Sequence, residues 1–304
     1  MSADPAATAD PVPPPSPAAP PRPAPERTLV DLAARTDAGK VRPSNDDVYL
    51  AVRGYRALDT LWTNLPAGQV PVRSSEEMYG MLVADGMGGP AGGQVAARLA
   101  ATTMVRLVLD TPDWIMKLGA WEGEEVLERI ARRYRAVHAA IKEAAAMDPG
   151  LAGMGTTLTV AHNVGRDLFV GHAGDSRAYL YRGGDLIQLT RDHTYAQALA
   201  DMDLIPQEQV MVHHLRHVLT RALGELGHNV EADVHRVRLA DGDQVLLCTD
   251  GLTDMVDAAG IGGVLRQAAT AADACRALVD LALANGGKDN VTVVLARYRF
   301  VREP

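Results

Sequence analysis

The run Met81-Leu82-Val83-Ala84 ends on Asp85, and three glycines follow within the next four residues. Four consecutive apolar residues read as a buried strand, and the Gly86-Met87-Gly88-Gly89 stretch lets the backbone turn sharply and approach a ligand closely. A carboxylate at a strand end beside exposed carbonyls suits a hard cation, which takes oxygen ligands. An Asp-Gly pair also marks ordinary turns, so the weight of this stretch depends on whether others match it.

Four do. Carboxylates recur where strands end: Asp46-Asp47, Asp175 (in Gly174-Asp175-Ser176-Arg177), Asp250 with Asp254 (in Thr249-Asp250-Gly251-Leu252-Thr253-Asp254) and Asp289 (in Lys288-Asp289-Asn290). Five acidic ends converging on one edge of a sheet core would repel strongly unless cations neutralised them. Oxygen ligands without paired His or Cys at metal-site spacing favour Mg²⁺ or Mn²⁺ over Zn²⁺. Two such ions about 4 Å apart hold a bridging water, lower its pKa and clamp the oxygens of a displacement at phosphorus. Arg42, close to the paired aspartates, offers a fork for a phosphoryl group. Each piece has a plainer reading: Gly-Asp-Ser-Arg as a bulged strand with a local ion pair, Asp-Asn as a turn, Arg42 as a solvated cation. Their joint occurrence in one order shifts the balance.

The 304 residues carry a formal charge of −8, and no run concentrates Lys and Arg, which argues against a nucleic-acid partner. With 47% hydrophobic residues the chain can bury a sizeable core. Cys248, in the apolar run Val245-Leu246-Leu247-Cys248, reads as a buried reduced thiol, and Cys275 is the only other cysteine. No apolar run approaches membrane-spanning length and the N-terminus lacks a hydrophobic signal core, so a soluble, cytoplasmic protein without a membrane partner is expected.

Residues 1 to about 27 are almost entirely Pro, Ala and small polar residues and are expected to form a disordered tail of polyproline II character. A folded unit over 28–302 follows. Leu29–Thr36 and Val48–Val52 read as strands, and residues 53–77, without clear periodicity, as a long surface insertion. Helices are expected over Gln94–Leu109 and Glu124–Met147, and at about 259–269 and 271–284. Between Thr156 and Thr190 the period switches to two, which reads as one antiparallel meander. A further hairpin is expected to join Val234–Leu239 to Gln244–Cys248 across Asp241-Gly242-Asp243. Val291–Phe300 reads as a last strand, and residues 191–220, polar and partly helical with four His, as a mobile segment over a site. A largely antiparallel β core flanked by helices is favoured over a doubly wound parallel sheet.

The ordered set Arg-x-x-Asn-Asp-Asp (42–47), Asp-Gly-Met-Gly-Gly (85–89), Gly-Thr-Thr (155–157), Gly-Asp-Ser-Arg (174–177), Leu-Thr-Arg-Asp-His-Thr (189–194), Leu-Thr-Arg-Ala-Leu-Gly (219–224), Thr-Asp-Gly-Leu (249–252) and Lys-Asp-Asn-Val-Thr (288–292) resembles the bacterial branch of the metal-dependent Ser/Thr phosphatases of the protein phosphatase 2C family. The likeness covers about residues 28–300, and the combination is specific although each piece is not. It implies a layered α+β fold: a two-sheet antiparallel β sandwich with helices on both faces (αββα) and a small flap over about 191–220. It also implies hydrolysis of phosphoserine and phosphothreonine by a hydroxide bridging two Mn²⁺ or Mg²⁺ ions. Carried over, Asp47, Asp85, Asp250 and Asp289 would hold the catalytic ions, with Gly86 giving a backbone carbonyl. Asp46 stands where the family has Glu, and Arg42 takes the phosphate-binding position. Asp175 and Asp254 match a third, weaker metal position. The implied partners are phosphorylated proteins, among them Ser/Thr protein kinases and their substrates, in bacterial signal transduction, with the enzyme a monomer.

The chain departs from that pattern in three places. Asp46 is one methylene shorter than Glu. Pro90-Ala91-Gly92-Gly93-Gln94 replaces a stretch where relatives commonly carry His and Glu, and Met87 stands where eukaryotic members have a His general acid. Two other readings compete. Asp241-Gly242-Asp243-Gln244-Val245 fits an aspartyl-phosphate phosphohydrolase pattern with Asp241 as nucleophile, but it joins two apolar strands only a turn apart, and a hairpin turn is the favoured reading. A non-catalytic scaffold with this fold would have lost a ligand carboxylate, and none is missing. Neither Cys248 nor Cys275 has an Arg six residues on, and no Gly-x-x-x-x-Gly-Lys-Ser/Thr loop is present.

Overall fold

A computed structural model describes residues 26–110, 122–224 and 230–302. The expected tail lies outside them, apart from Glu26 and Arg27, which open the first strand.

The core follows from period-two alternation on strands buried on both faces. In β12 (Gln244–Cys248), Val245 and Leu247 point between two sheets while Leu246 and Cys248 point to helices. In β3 (Arg73–Ala84), Met81 and Val83 point between the sheets and Leu82 and Ala84 to the other helical layer. One five-stranded sheet runs β1 (Glu26–Asp37), β13 (Val291–Arg302), β12, β8 (Arg177–Arg182), β9 (Asp185–Gln188). The other runs β11 (Asp233–Arg238), β7 (Asp167–Ala173), β6 (Leu158–Val164), β3, β2 (Val48–Asp59), and every pairing is antiparallel. Helices α1 (Gly89–Asp110) and α2 (Glu122–Met147) cover the second sheet through Ala97, Ala100, Ile130 and Tyr134; α5 (Ala258–Gln267) and α6 (Ala271–Ala284) cover the first through Ile261, Leu265 and Leu278. This is the αββα sandwich expected from the sequence. A small third sheet, β4 (Gly86–Met87), β5 (Gly155–Thr156) and β10 (Leu223–Gly224), closes one end.

Three expectations fail, each for a local reason. Residues 53–77 are irregular only over 60–72: β2 and β3 pair in register from Val48↔Ala84 out to Asp59↔Arg73. Since β6 joins β3 only over Gly80–Val83, the outer half is a two-stranded ribbon with solvent on both faces, and no alternation is imposed. The stretch 156–190 is two hairpins rather than one meander, because the chain crosses between sheets at Gly174-Asp175-Ser176, where Gly174 takes φ +119°. β11 and β12 likewise lie in different sheets, so Asp241-Gly242-Asp243 is a crossing and not a hairpin turn. There Asp241 accepts from the Phe300 N–H (2.8 Å), and buried Asp243 pairs with Arg182 (2.7 Å). Asp241 is thus a turn residue, which disfavours the aspartyl-phosphate reading. Both cysteines are free and buried, and burial pushes each thiol up to about 12.

Candidate metal centre

Strand ends converge at one pole of the sandwich, and six carboxylates arrive with them. Asp47 precedes β2, Asp85 follows β3, Asp175 lies on the sheet crossing and Asp289 precedes β13. Asp250 opens the short helix α4 (Asp250–Thr253), and Asp254 caps its C-terminal end. Burial pushes Asp47 up to about 7; hydrogen bonds from Thr292 and Thr249 oppose this, while Asp250 and Asp289 add repulsion. Asp85 is raised well above the usual carboxylate range by burial and then by Asp47, Asp250, Asp175 and Asp289. Asp175 is raised by burial, then by Asp250 and Asp192; Asp254 is raised by burial, then by Asp250. In a site without compensating cations these charges cannot all be ionised cheaply.

Hydroxyls hold this acidic floor in place. Asp47 Oδ2 accepts from Thr292 Oγ1 (2.6 Å) and Thr249 Oγ1 (2.9 Å). Behind Thr292, Asn45 Nδ2 donates to Thr36 Oγ1 (2.8 Å), which lies 2.7 Å from Thr292 Oγ1, so each hydroxyl can pass its proton donation on toward Asp47. The Asp85 N–H donates to Thr157 Oγ1 (2.9 Å), and the Asp85 carbonyl accepts from Thr156 Oγ1 (2.8 Å) and the Thr157 N–H (2.9 Å). Asn290 staples three segments: Oδ1 accepts from the Asp46 N–H (2.8 Å), and Nδ2 donates to the carbonyls of Ala38 (2.9 Å) and Ser44 (2.8 Å).

Glycine is required where helices meet this floor. A Cβ on Gly86 would lie 2.2 Å from the Gly93 carbonyl oxygen, and one on Gly251 would lie 2.0 Å from that of Asn290. The start of α1 and the whole of α4 therefore approach the acidic strand ends as closely as backbone allows.

Two buried oxygens carry the argument for cations. Asp47 Oδ1 and Asp250 Oδ1 have no hydrogen-bond partner, although Asp47 is only 8% exposed. Buried carboxylate oxygens are otherwise almost always paired. All-oxygen donors, orphaned lone pairs and mutual repulsion together fit hard divalent ions.

The segment 191–224 leans over this floor. It holds α3 (Tyr195–Asp201), capped by Thr194 Oγ1, and a 3₁₀ turn over Gln207–Val212. Its root is fixed: Arg177 makes a fork with Asp192 (Nε to Oδ1 2.8 Å), and the Asp192 side chain is 9% exposed. His193 clamps Gly174, donating its own N–H to the Gly174 carbonyl (2.7 Å) and accepting the Gly174 N–H on Nδ1 (3.0 Å). Nε2 must then carry the ring proton, which it gives to Asp233 Oδ2 (3.1 Å). Further along, His217 Nε2 reaches Asp254 Oδ2 (3.2 Å) and Nδ1 lies 3.6 Å from Asp250 Oδ2. Contact with Asp250 and then the charge of Asp254 raise the His217 pKa. One ligand atom each from Asp175, His217 and Asp250 lie within 4.8 Å of one another.

The structure thus gathers Asp47, Asp85, Asp175, Asp250, Asp254 and Asp289, with Gly86 next to Asp85 in β4. Asp46 adjoins them, but its carboxylate accepts from Ser44 Oγ (3.1 Å). Arg42 sits at the rim, donating through one Nη to Asp289 Oδ2 (2.6 Å) with a half-exposed side chain. His217 was not singled out by sequence, because its partners are distant in the chain and four histidines share the segment. The supporting role of Thr36, Thr249, Thr292 and Asn290 was likewise hidden, since an isolated Thr or Asn carries no signal of burial.

The protein phosphatase 2C family model matches residues 83–291. The serine/threonine protein phosphatase PstP of Mycobacterium tuberculosis is 38% identical over 264 residues, covering 87% of this chain and 44% of that protein. The chain therefore spans less than half the length of that relative. The serine/threonine phosphatase stp of Listeria innocua is 32% identical over 269 residues, covering 88% of this chain and 96% of the relative. A solved structure of the PstP catalytic domain in complex with two manganese ions superposes with a TM-score of 0.70 at 34% identity, covering 90% of this chain and all of that one. Sheet order, strand-end carboxylates and these matches agree: the chain belongs to the protein phosphatase 2C family.

Proposed function

We propose that this chain is a metal-dependent protein serine/threonine phosphatase, hydrolysing phosphoserine and phosphothreonine in proteins. The observation that carries the reading is the pair of buried, unpartnered oxygens, Asp47 Oδ1 and Asp250 Oδ1, inside a ring of six carboxylates. Asp47, Asp85, Asp250 and Asp289, with the Gly86 carbonyl and Asp46, are assigned to two Mn²⁺ or Mg²⁺ ions, and Asp175 and Asp254 to a third, weaker one. Bound divalent ions would neutralise the floor, activate a water and screen the charge of the phosphoryl group.

The chain's own residues supply the rest. Thr249 and Thr292 occupy Asp47 Oδ2 and so direct Oδ1 into the site. Arg42 uses one nitrogen on Asp289, and its half-exposed side chain keeps further N–H donors that can grip phosphoryl oxygens. The hydrogen bond to Asp289, and then the charge of Asp289, hold the Arg42 pKa above its ordinary value, so the guanidinium stays charged. The segment 191–224 borders the opening and would limit which phosphorylated loops enter.

We assign one phosphatase unit over 28–302 with a flap at about 191–220, acting as a monomer in the cytoplasm of a bacterium. Its partners would be phosphorylated proteins in signal transduction, Ser/Thr kinases and their substrates among them. Among the described residues no helix is long and apolar enough to cross a membrane. Turnover of a phosphothreonine peptide with and without Mn²⁺ tests the reading. Metal-dependent release of phosphate is expected; release unaffected by chelation would overturn it.

A further inference from the structure

Asp175 reaches the metal centre with no side chain to aim it. Among the described residues no side-chain donor meets its carboxylate, although the residue is only 9% exposed. Its direction is therefore set by the backbone of the crossing, and both flanking residues are pinned. On one side Ser176 Oγ lies 2.8 Å from Thr157 Oγ1, the hydroxyl that also takes the Asp85 N–H. On the other, both backbone groups of Gly174 go to His193. Gly174 holds φ +119° there, and a Cβ on it would lie 2.5 Å from Thr157 Cβ, so no other residue can take its place.

His193 is itself held in one orientation and one tautomer. Its Nδ1 accepts from Gly174, so Nε2 carries the proton and donates to Asp233 Oδ2 (3.1 Å). Arg221 Nη1 lies 3.0 Å from the same Nε2, and both donors turn to Asp233, whose Oδ1 takes the arginine (2.5 Å). The His193 contact first, and Arg221 after it, hold the Asp233 carboxyl well below its usual range, so it stays charged. Beneath, the ring stacks on His172 with 4.8 Å between centroids. His172 accepts from Thr159 Oγ1 on Nδ1 (2.9 Å), and its Nε2 donates to the Arg191 carbonyl (3.2 Å). Burial above all lowers the His172 pKa to about 3, which keeps that ring neutral. The knot thus gathers β6, β7, the start of β11 and both arms of the flap, whose arms are joined by the Thr220 N–H on the His193 carbonyl (2.8 Å). A buried polar network with its members paired is rigid.

We infer that His193 is a positioning residue: by accepting the Gly174 N–H on Nδ1 it aims Asp175 at the third, weaker cation position, and Asp233 with Arg221 acts through it by fixing the tautomer that can accept. This rests on the phosphatase reading and deepens it. His193 touches neither substrate nor ion in this role, and its effect is read in how tightly the weaker cation is held.

Two substitutions separate the ring's two contacts. In His193→Asn an amide oxygen takes the place of Nδ1 and the Asp233 contact is lost; in His193→Gln an amide donor stands near Nε2 and the acceptor for Gly174 is lost. Calorimetry with Mn²⁺ on the full chain should show two tight binding events and a weaker one. His193→Gln should weaken the last about 10- to 100-fold with the tight events unchanged, as for other outer supports of ligands. His193→Asn should restore most of that loss, and excess Mn²⁺ should return the kcat of His193→Gln to the parent's. An unchanged weaker event in His193→Gln, or an equal loss in both variants, would overturn the proposal. Nitrogen-15 NMR of the unsubstituted protein reads the tautomer whether or not the variants fold: a proton on Nε2 is expected, and one on Nδ1 overturns the assignment. A parent that binds no Mn²⁺ at all is a distinct outcome, which would sink the phosphatase reading and this inference with it.

Discussion

The acidic floor and the segment that leans on it are built on opposite principles. The floor is rigid and electrostatically costly. Its carboxylates sit at ends of core strands, their supports are buried hydroxyls, and the Asp47 and Asp250 orphaned oxygens leave the cost uncompensated. The flap is inexpensive and loosely held. Past Asp192 and His193 it buries little up to residue 220 besides Thr194, Ala196, Gln197 and Val210, and it meets the floor through Arg216 and His217, both partly exposed. A floor that needs cations and a flap that fills the gap with its own cation can exchange one for the other.

Asp250→Ala should break the comparison most severely. It removes the carboxylate that touches the charge environment of Asp47, Asp85, Asp175 and Asp254 together. Turnover is expected to fall on the order of a thousandfold. Steady-state kinetics with Mn²⁺ check it, and activity within tenfold of the parent would remove this floor as the seat of the chemistry.

Ion removal comes next. The raised carboxyls are stabilised in their neutral form, so their contribution to the ion-free fold is present in acid, below an ordinary Asp pKa near 4. It is lost as pH rises through about 7, the folded value for Asp47. For Asp47 alone the shift from 3.8 is worth on the order of 4 kcal/mol. Chelated protein should therefore lose stability between about pH 4 and about pH 7 (roughly the span of that shift) relative to Mn²⁺-loaded protein. Thermal unfolding of both forms measures this, and a pH-independent difference would contradict it.

Thr292→Val sharpens the contrast from the side of the floor. It takes away the shorter hydroxyl on Asp47 Oδ2 while keeping the side chain's shape, and Mn²⁺ affinity should fall about 10- to 100-fold, as for other outer supports of ligands. Calorimetry would show it, and unchanged affinity would mean Asp47 is positioned without its hydroxyls. His217→Asn probes the flap side and should do least. A partly exposed ion pair contributes about 1 kcal/mol or less, so kcat/KM should change only a few-fold with tight ion binding retained. Loss of tight binding would make His217 part of the floor.

Much of the floor was legible in the sequence because each carboxylate follows or precedes an apolar run, and a strand's end is readable when both its faces are buried. Legibility failed where that condition failed. The outer half of β2 and β3, with Arg53, Gly54, Ser74 and Ser75, has solvent on either side and shows no period. It failed too where a turn changes sheets: Gly174 and Gly242 look like hairpin glycines, and only the partners of the flanking strands reveal the crossing. The contact of His217 with Asp254 joins two segments with no shared pattern, so no reading along the chain could pair them.

The pairing of Glu26 with Arg302, and of every residue between them and the metal centre, couples the first strand of the described residues to the last. On the ribosome, β1 emerges long before β13 and must wait as an unpaired edge while the intervening sheets assemble. Asp289 leaves the exit tunnel only just ahead of the strand that anchors it. A nascent chain would thus carry most of its carboxylates without the means to group them, and competence would arrive in one step when β13 slides between β1 and β12.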